Sequence, residues 1–91
     1  MRTVRLTITG RVQGVWFQAR TVETAQSLYI GGWVRNRRDG SVEALISGTN
    51  EAVSRMIEAC RKGPTDAEVG AIDEYPADEP ADVGFKTRLT A

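Results

Sequence analysis

Nine consecutive residues carry the chain's most distinctive chemistry: Gly10, Arg11, Val12, Gln13, Gly14, Val15, Trp16, Phe17 and Gln18. Two glycines stand four residues apart, and the run holds no carboxylate. A strand that feeds a glycine-containing turn into a helix N-terminus makes an anion cradle. Its backbone N–H groups point inward, and the helix end adds positive potential. Taken alone, Gly10 and Gly14 serve a tight turn equally well. Asn36 is the second candidate, a side-chain amide at a strand end with both a donor and an acceptor to offer. Turn initiation is its plain structural alternative. Ten of the twelve basic residues are arginine, the side chain best matched to oxyanions. Surface solvation accounts for most of these charges.

Elimination narrows the chemistry. With no histidine, the chain has no imidazole base, no phosphohistidine intermediate and no histidine metal ligand. Cys60 is the only cysteine, and it falls on an apolar helical stripe, so it reads as core rather than as a nucleophile. A single thiol holds no soft metal and forms no internal disulfide, in keeping with a reducing cytoplasm. The acidic residues after Asp73, namely Glu74, Asp78, Glu79 and Asp82, have no metal-loop spacing and read as solvated loop. Neither a P-loop nor a dinucleotide fingerprint is present. Anion binding with direct attack by water is what remains.

These groups need a scaffold to position them. Val4, Leu6 and Ile8 alternate with polar residues as in a half-buried strand, and residues 10–17 read as the loop after it. Ala19, Val22, Ala25 and Leu28 recur at helical spacing from residue 18 or 19 to about 29, with Gly31-Gly32 as the stop. A strand over 33–36 and another over 41–47 flank Asp39-Gly40, a hairpin signal. Residues 48–50 supply a turn and a helix cap. Val53, Met56, Ile57 and Cys60 then form an amphipathic stripe that Gly63-Pro64 ends. A fourth strand is expected over 67–73, an acidic loop over 75–84, and a short last strand at Phe85, Thr87 and Leu89. Two strand–helix–strand units around a hairpin predict an α+β, ferredoxin-like split βαβ sandwich. Its antiparallel sheet of about five strands carries both helices on one face.

Size and charge agree with this reading. Ninety-one residues suit one domain spanning 1–91. Twelve basic and twelve acidic residues cancel, so no global field draws the chain to nucleic acid or to a membrane surface. No apolar run approaches the roughly 18–20 residues that span a bilayer, and residues 1–5 hold no apolar signal core. Strand aromatics are few and the RNA-stacking motif is missing. A cytoplasmic monomer is the expectation.

Over nearly its whole length the chain resembles the acylphosphatases. Gly10-Arg11-Val12-Gln13-Gly14-Val15 with Phe17 is similar to the first signature of that family. Gly32-Trp33-Val34-Arg35-Asn36, followed by Asp39-Gly40 and Val42-Glu43, is similar to the second, and Gly63-Pro64 with Ala67-Glu68-Val69 to a third, weaker stretch. The resemblance implies a small cytosolic hydrolase that cleaves carboxyl-phosphate anhydrides without metal or cofactor. Backbone amides of the first loop would bind the phosphoryl oxygens, mapping onto Gln13, Gly14, Val15, Trp16, Phe17 and Gln18. Asn36 would orient the attacking water. One position departs: the family places a phosphate-binding arginine where this chain has Gln18. Three readings follow from that departure. The enzyme is impaired or uses another arginine, the chain is a phosphate- or acyl-phosphate-binding module without turnover, or Gln18 is an engineered replacement. Helical spacing sets Arg20 about 200° from Gln18, and strand alternation turns Arg35 to the face opposite Asn36. Arg11 in the loop and Arg37 and Arg38 on the hairpin remain, none of them a convincing substitute.

Overall fold

The computed structural model describes residues 1–14, 16–63, 67–78 and 84–91. Its elements run β1 (Arg2–Arg11), α1 (Phe17–Ser27), β2 (Gly31–Asn36), β3 (Val42–Gly48), α2 (Asn50–Lys62), β4 (Glu68–Pro76) and β5 (Phe85–Thr87). That is the order expected from periodicity. Some boundaries move outward, as at both ends of β1 and the start of β2, because ladder hydrogen bonds continue past the last residue that shows the pattern. Others move inward, with α1 ending at Ser27 rather than near 29 and β5 at Thr87 rather than Leu89. Tyr75 and Pro76, expected in a loop, close β4. Of the other expected features, Val15, Pro64 and the 79–83 part of the acidic loop lie outside the described residues.

The five strands form one sheet in the order β4-β1-β3-β2-β5. β1 is antiparallel to β3 and β4, and β2 is antiparallel to β3. β5 corrects the expectation of a wholly antiparallel sheet, since it lies parallel to β2 with Trp33 opposite Lys86. Hairpins impose antiparallel pairing, and no hairpin joins β5 to β2. Backbone bonding continues beyond β5, with Arg88 N–H donating to the Val34 carbonyl and Ala91 N–H to the Asn36 carbonyl.

One face of the sheet builds the main core. Val4, Leu6, Ile8, Val34, Ala44 and Ile46 meet Phe17 and Ala25 of α1 and Val53, Met56, Ile57 and Cys60 of α2. Burial at these alternating and helically spaced positions is the main stabilising term. Residues of the opposite alternation, Trp33 and Leu45, are buried as well. There the Arg35 and Arg88 guanidiniums each stand 4.8 Å from the centroid of the Trp33 ring. Glu43, only 4% exposed, is paired with Arg35 at 2.6 Å and Arg37 at 3.4 Å.

The two helices begin and end differently. Thr49 caps α2, its side-chain oxygen accepting the Ala52 N–H at 3.1 Å, and Glu51 occupies the first turn. Thr49→Ala should therefore lower the unfolding free energy by about 1 kcal/mol, read as a shift of the urea midpoint at constant m-value. α1 is not stopped by its glycines as expected. Tyr29 takes the left-handed position at φ 55°, and the N–H groups of Tyr29 and Ile30 bond back to Gln26 and Ala25 in a Schellman motif. Gly31 and Gly32 instead open β2, where a Cβ on Gly32 would run into the Leu45 carbonyl. No helix among the described residues is long and apolar enough to cross a membrane.

Candidate active site

The candidate loop is shorter than its sequence suggests, because Gly10 and Arg11 belong to β1. Gly10 sits at a bulge in the β1–β4 ladder with φ 119°, and a Cβ there would meet the Glu68 carbonyl and the Gly70 amide. It is a close-approach glycine rather than part of a cradle. Gly14 differs. Nothing lies within 4 Å of where its Cβ would stand, so its φ of 73° marks a conformational requirement alone. Trp16 also has a positive φ, 65°, and is the N-cap of α1.

The N-terminus of α1 is open. Trp16 makes no side-chain cap bond, and no acidic residue occupies the first turn. The Trp16 carbonyl accepts the Arg20 N–H at 3.0 Å, which starts the helix and leaves the earlier N–H groups pointing out of its end. Positive potential and N–H groups without an intrahelical acceptor thus coincide at Phe17 and Gln18.

Gln13 fastens this loop to the hairpin. Its Nε2 donates to the Arg37 carbonyl at 2.7 Å and to the Ser41 carbonyl at 2.8 Å. The loop after β1 and the turn after Asn36 are thereby held together. Within that turn, Asp39 accepts from the Ser41 hydroxyl at 2.6 Å and from its N–H at 2.9 Å. These two bonds hold the Asp39 carboxyl below its ordinary range, so the contact persists at neutral pH and is lost as acid protonates it.

Asn36 closes β2. Its backbone is gripped on two sides, by the register with Val42 in β3 and by the Ala91 N–H at 3.0 Å. Its side-chain Oδ1 is buried yet has no hydrogen-bond partner among the described residues. A buried acceptor left unpaired is destabilising by roughly 1–3 kcal/mol, which makes it a place to look for a ligand or a reacting water.

Gln18 is partly buried on the first turn of α1. The buried stripe of that helix is Phe17, Thr21 and Ala25. Arg20 and Thr24 lie on the flank facing α2, where with Phe17, Met56 and Cys60 they line a cavity of about 180 Å³. Gln18 lies on the other flank. Arg20 therefore does not stand in for a charge at Gln18, and it pairs with Glu23 at 3.5 Å. Arg35 and Arg37 are engaged at Glu43 on the far face of the sheet, and Arg11 is exposed at the end of β1. Burial pushes the Cys60 thiol up to about 12, which removes it as a nucleophile at neutral pH.

Sequence reasoning missed two features here. The Gln13 strap has no sequence signal, since a loop glutamine matches many roles. The left-handed Trp16 has none either, because a bulky aromatic signals against the positive φ that it adopts.

Comparison with known proteins is consistent across the chain. A family model described as Acylphosphatase matches residues 4–87. An acylphosphatase from Rhodospirillum rubrum is 48% identical over 88 residues, which are 97% of each chain. One from Azorhizobium caulinodans is 51% identical over 89 residues, covering 97% of this chain and 96% of the relative. The crystal structure of an acylphosphatase from Bacillus subtilis matches with a TM-score of 0.91 at 31% identity, covering 97% of this chain and 99% of that one.

Proposed function

Because this chain belongs to the acylphosphatase family, we propose that it hydrolyses small acyl phosphates by direct attack of water on phosphorus. The phosphoryl oxygens sit against the N–H groups of Gln13, Gly14, Trp16, Phe17 and Gln18, with Gln18 as a neutral donor. Asn36 Oδ1 accepts a hydrogen bond from the attacking water and aims it in line with the anhydride oxygen. As the new P–O bond forms, the bond to the acyl oxygen breaks. The carboxylate leaves with the electron pair, and the proton of the water passes to phosphate or solvent. Phosphoryl transfer of this kind needs positioning and charge stabilisation more than covalent work by the protein. The observation that carries the reading is the buried Asn36 Oδ1, without a hydrogen-bond partner among the described residues, at the start of the turn to which Gln13 straps the loop.

Gln18 favours a second reading, a module that binds phosphate or acyl phosphate without turning it over. A glutamine amide brings donors but no charge to the phosphoryl group. Both readings take a cytoplasmic monomer that meets small anions and neither nucleic acid nor membrane, in keeping with a net charge of zero. Inorganic phosphate titrated at millimolar concentration into isotopically labelled protein should move the backbone amides of Gly14, Trp16, Phe17 and Gln18 most. Largest shifts elsewhere, or none, would remove the loop as the anion site and both readings with it.

A further inference from the structure

Gln13 uses both protons of its side-chain amide on the turn between β2 and β3. Its Nε2 donates to the Arg37 carbonyl at 2.7 Å and to the Ser41 carbonyl at 2.8 Å. Both partners are carbonyls, so the NH2 end of the amide must face the turn. Those two partners bracket the turn. Arg37 follows Asn36, the last residue of β2, and Ser41 precedes Val42, the first residue of β3. The amide therefore bridges the base of the turn, one residue beyond the Asn36–Val42 pair.

The turn has other bonds to hold its shape. Arg37 N–H donates to the Ser41 carbonyl at 2.8 Å, Gly40 N–H donates to the Arg37 carbonyl at 3.1 Å, and Asp39 accepts from Ser41. The residues beyond β5 grip it too, with Arg38 N–H donating to the Ala91 carbonyl at 2.7 Å. The loop after β1 has fewer ties. Val12 and Phe17 anchor its two ends in the core. Among the described residues, the Gln13 side chain makes the only hydrogen bonds that join residues 12–16 to residues 36–42. It is the polar link that sets how far the loop amides stand from the strand end bearing the Asn36 amide.

We propose that Gln13 is a positioning residue, whose side chain fixes the separation between a phosphoryl group on the loop and the water held by Asn36. The inference rests on the roles proposed above for the loop and for Asn36. The Gln13 backbone N–H serves the anion, while its side chain acts only through the turn. In-line attack depends on that separation, and a misplacement of about 1 Å costs on the order of 10²-fold in rate. Anion binding does not depend on it, because the amides that hold the anion all belong to the loop and the start of α1. Removing the side-chain amide should therefore separate rate from affinity, which loss of a merely stabilising bond does not do.

Gln13→Met keeps the length of the side chain and removes both donors, and inorganic phosphate reads the result without requiring turnover. In the parent, saturating phosphate should move the Asn36 side-chain Nδ2 proton resonances together with the loop amides. In Gln13→Met the loop amides should still move, with a Kd within about threefold of the parent's, while the Asn36 displacement is largely lost. If the parent hydrolyses acetyl phosphate, kcat should fall by about 10–10² with KM nearly unchanged. Retention of the Asn36 displacement or of kcat in Gln13→Met, whatever its stability to urea, would overturn the proposal, as would parallel loss of phosphate affinity. Loop amides that move in the parent without Asn36 would overturn it while leaving the loop as the anion site. No movement of the loop amides would remove the loop reading as well. Gln13→Glu, of the same length and without N–H donors, takes the place of Gln13→Met if that variant does not fold. Failure of both to fold would assign the Gln13 bonds to architecture and overturn the positioning role.

Discussion

Replacing Asn36 with alanine is expected to lower kcat for acetyl phosphate by about 10²–10³, with the Kd for inorganic phosphate changing less than about threefold. The asymmetry follows from the partner assigned to Oδ1. A water that becomes nucleophilic is held most strongly as it attacks, so its loss is felt in the transition state more than in ground-state binding of the anion. Asn36 suits that role because β3 and the residues beyond β5 fix its backbone, which leaves only the amide to be oriented. Steady-state kinetics with acetyl phosphate and a phosphate titration by NMR separate the alternatives. Parallel loss of rate and phosphate affinity would assign Asn36 to the architecture of the hairpin that Gln13 straps. An unchanged rate would leave it as a turn residue.

What was legible in the chain was local. Alternation in β1, the stripe on α2 and the Asp39-Gly40 turn each depend on near neighbours, and each element lies where the pattern puts it. Arg35 on the face opposite Asn36 also follows from strand alternation, and its bond to Glu43 agrees. The features that escaped are set at long range. β5 is parallel because of where it meets β2, which no residue in Phe85–Thr87 encodes. Gly10 resembles a loop glycine until β4 is laid beside it and the Glu68 carbonyl occupies the space of a side chain. Nothing local marks Glu43 for burial, yet it is 4% exposed, with Arg35 and Arg37 converging on it. The site divides along the same line. Its candidate residues lie on one loop, the first turn of the helix that follows it and one strand end, whereas the bond joining loop to turn spans Gln13 to Ser41.

Introducing arginine at position 18 should raise kcat/KM for acetyl phosphate by at least about 10², the usual worth of a preorganised donor to charge that develops in the transition state. Gln18 is partly buried on the first turn of α1, so a longer side chain can extend toward solvent without displacing the Phe17–Thr21–Ala25 stripe. A guanidinium there would add a fixed positive charge and a fork of donors to an open helix N-terminus that has no acidic residue to compete. The other arginines set the alternative outcomes. If Arg11, Arg37 or Arg38 already serves the phosphoryl group, the parent is active, deleting that arginine abolishes turnover and Gln18→Arg adds little. Arg37 would first have to leave Glu43, 3.4 Å from its guanidinium. If the pocket is that of a binding module, phosphate binds while neither parent nor Gln18→Arg turns over substrate. The decisive set is kcat/KM for the parent, Gln18→Arg and Gln18→Arg/Asn36→Ala, with folding checked by circular dichroism. Activity that appears in the single variant and is lost again in the double would assign charge to position 18 and water orientation to Asn36. A folded Gln18→Arg protein that binds phosphate and stays inactive would show that the missing guanidinium is not the only difference between this site and a working one.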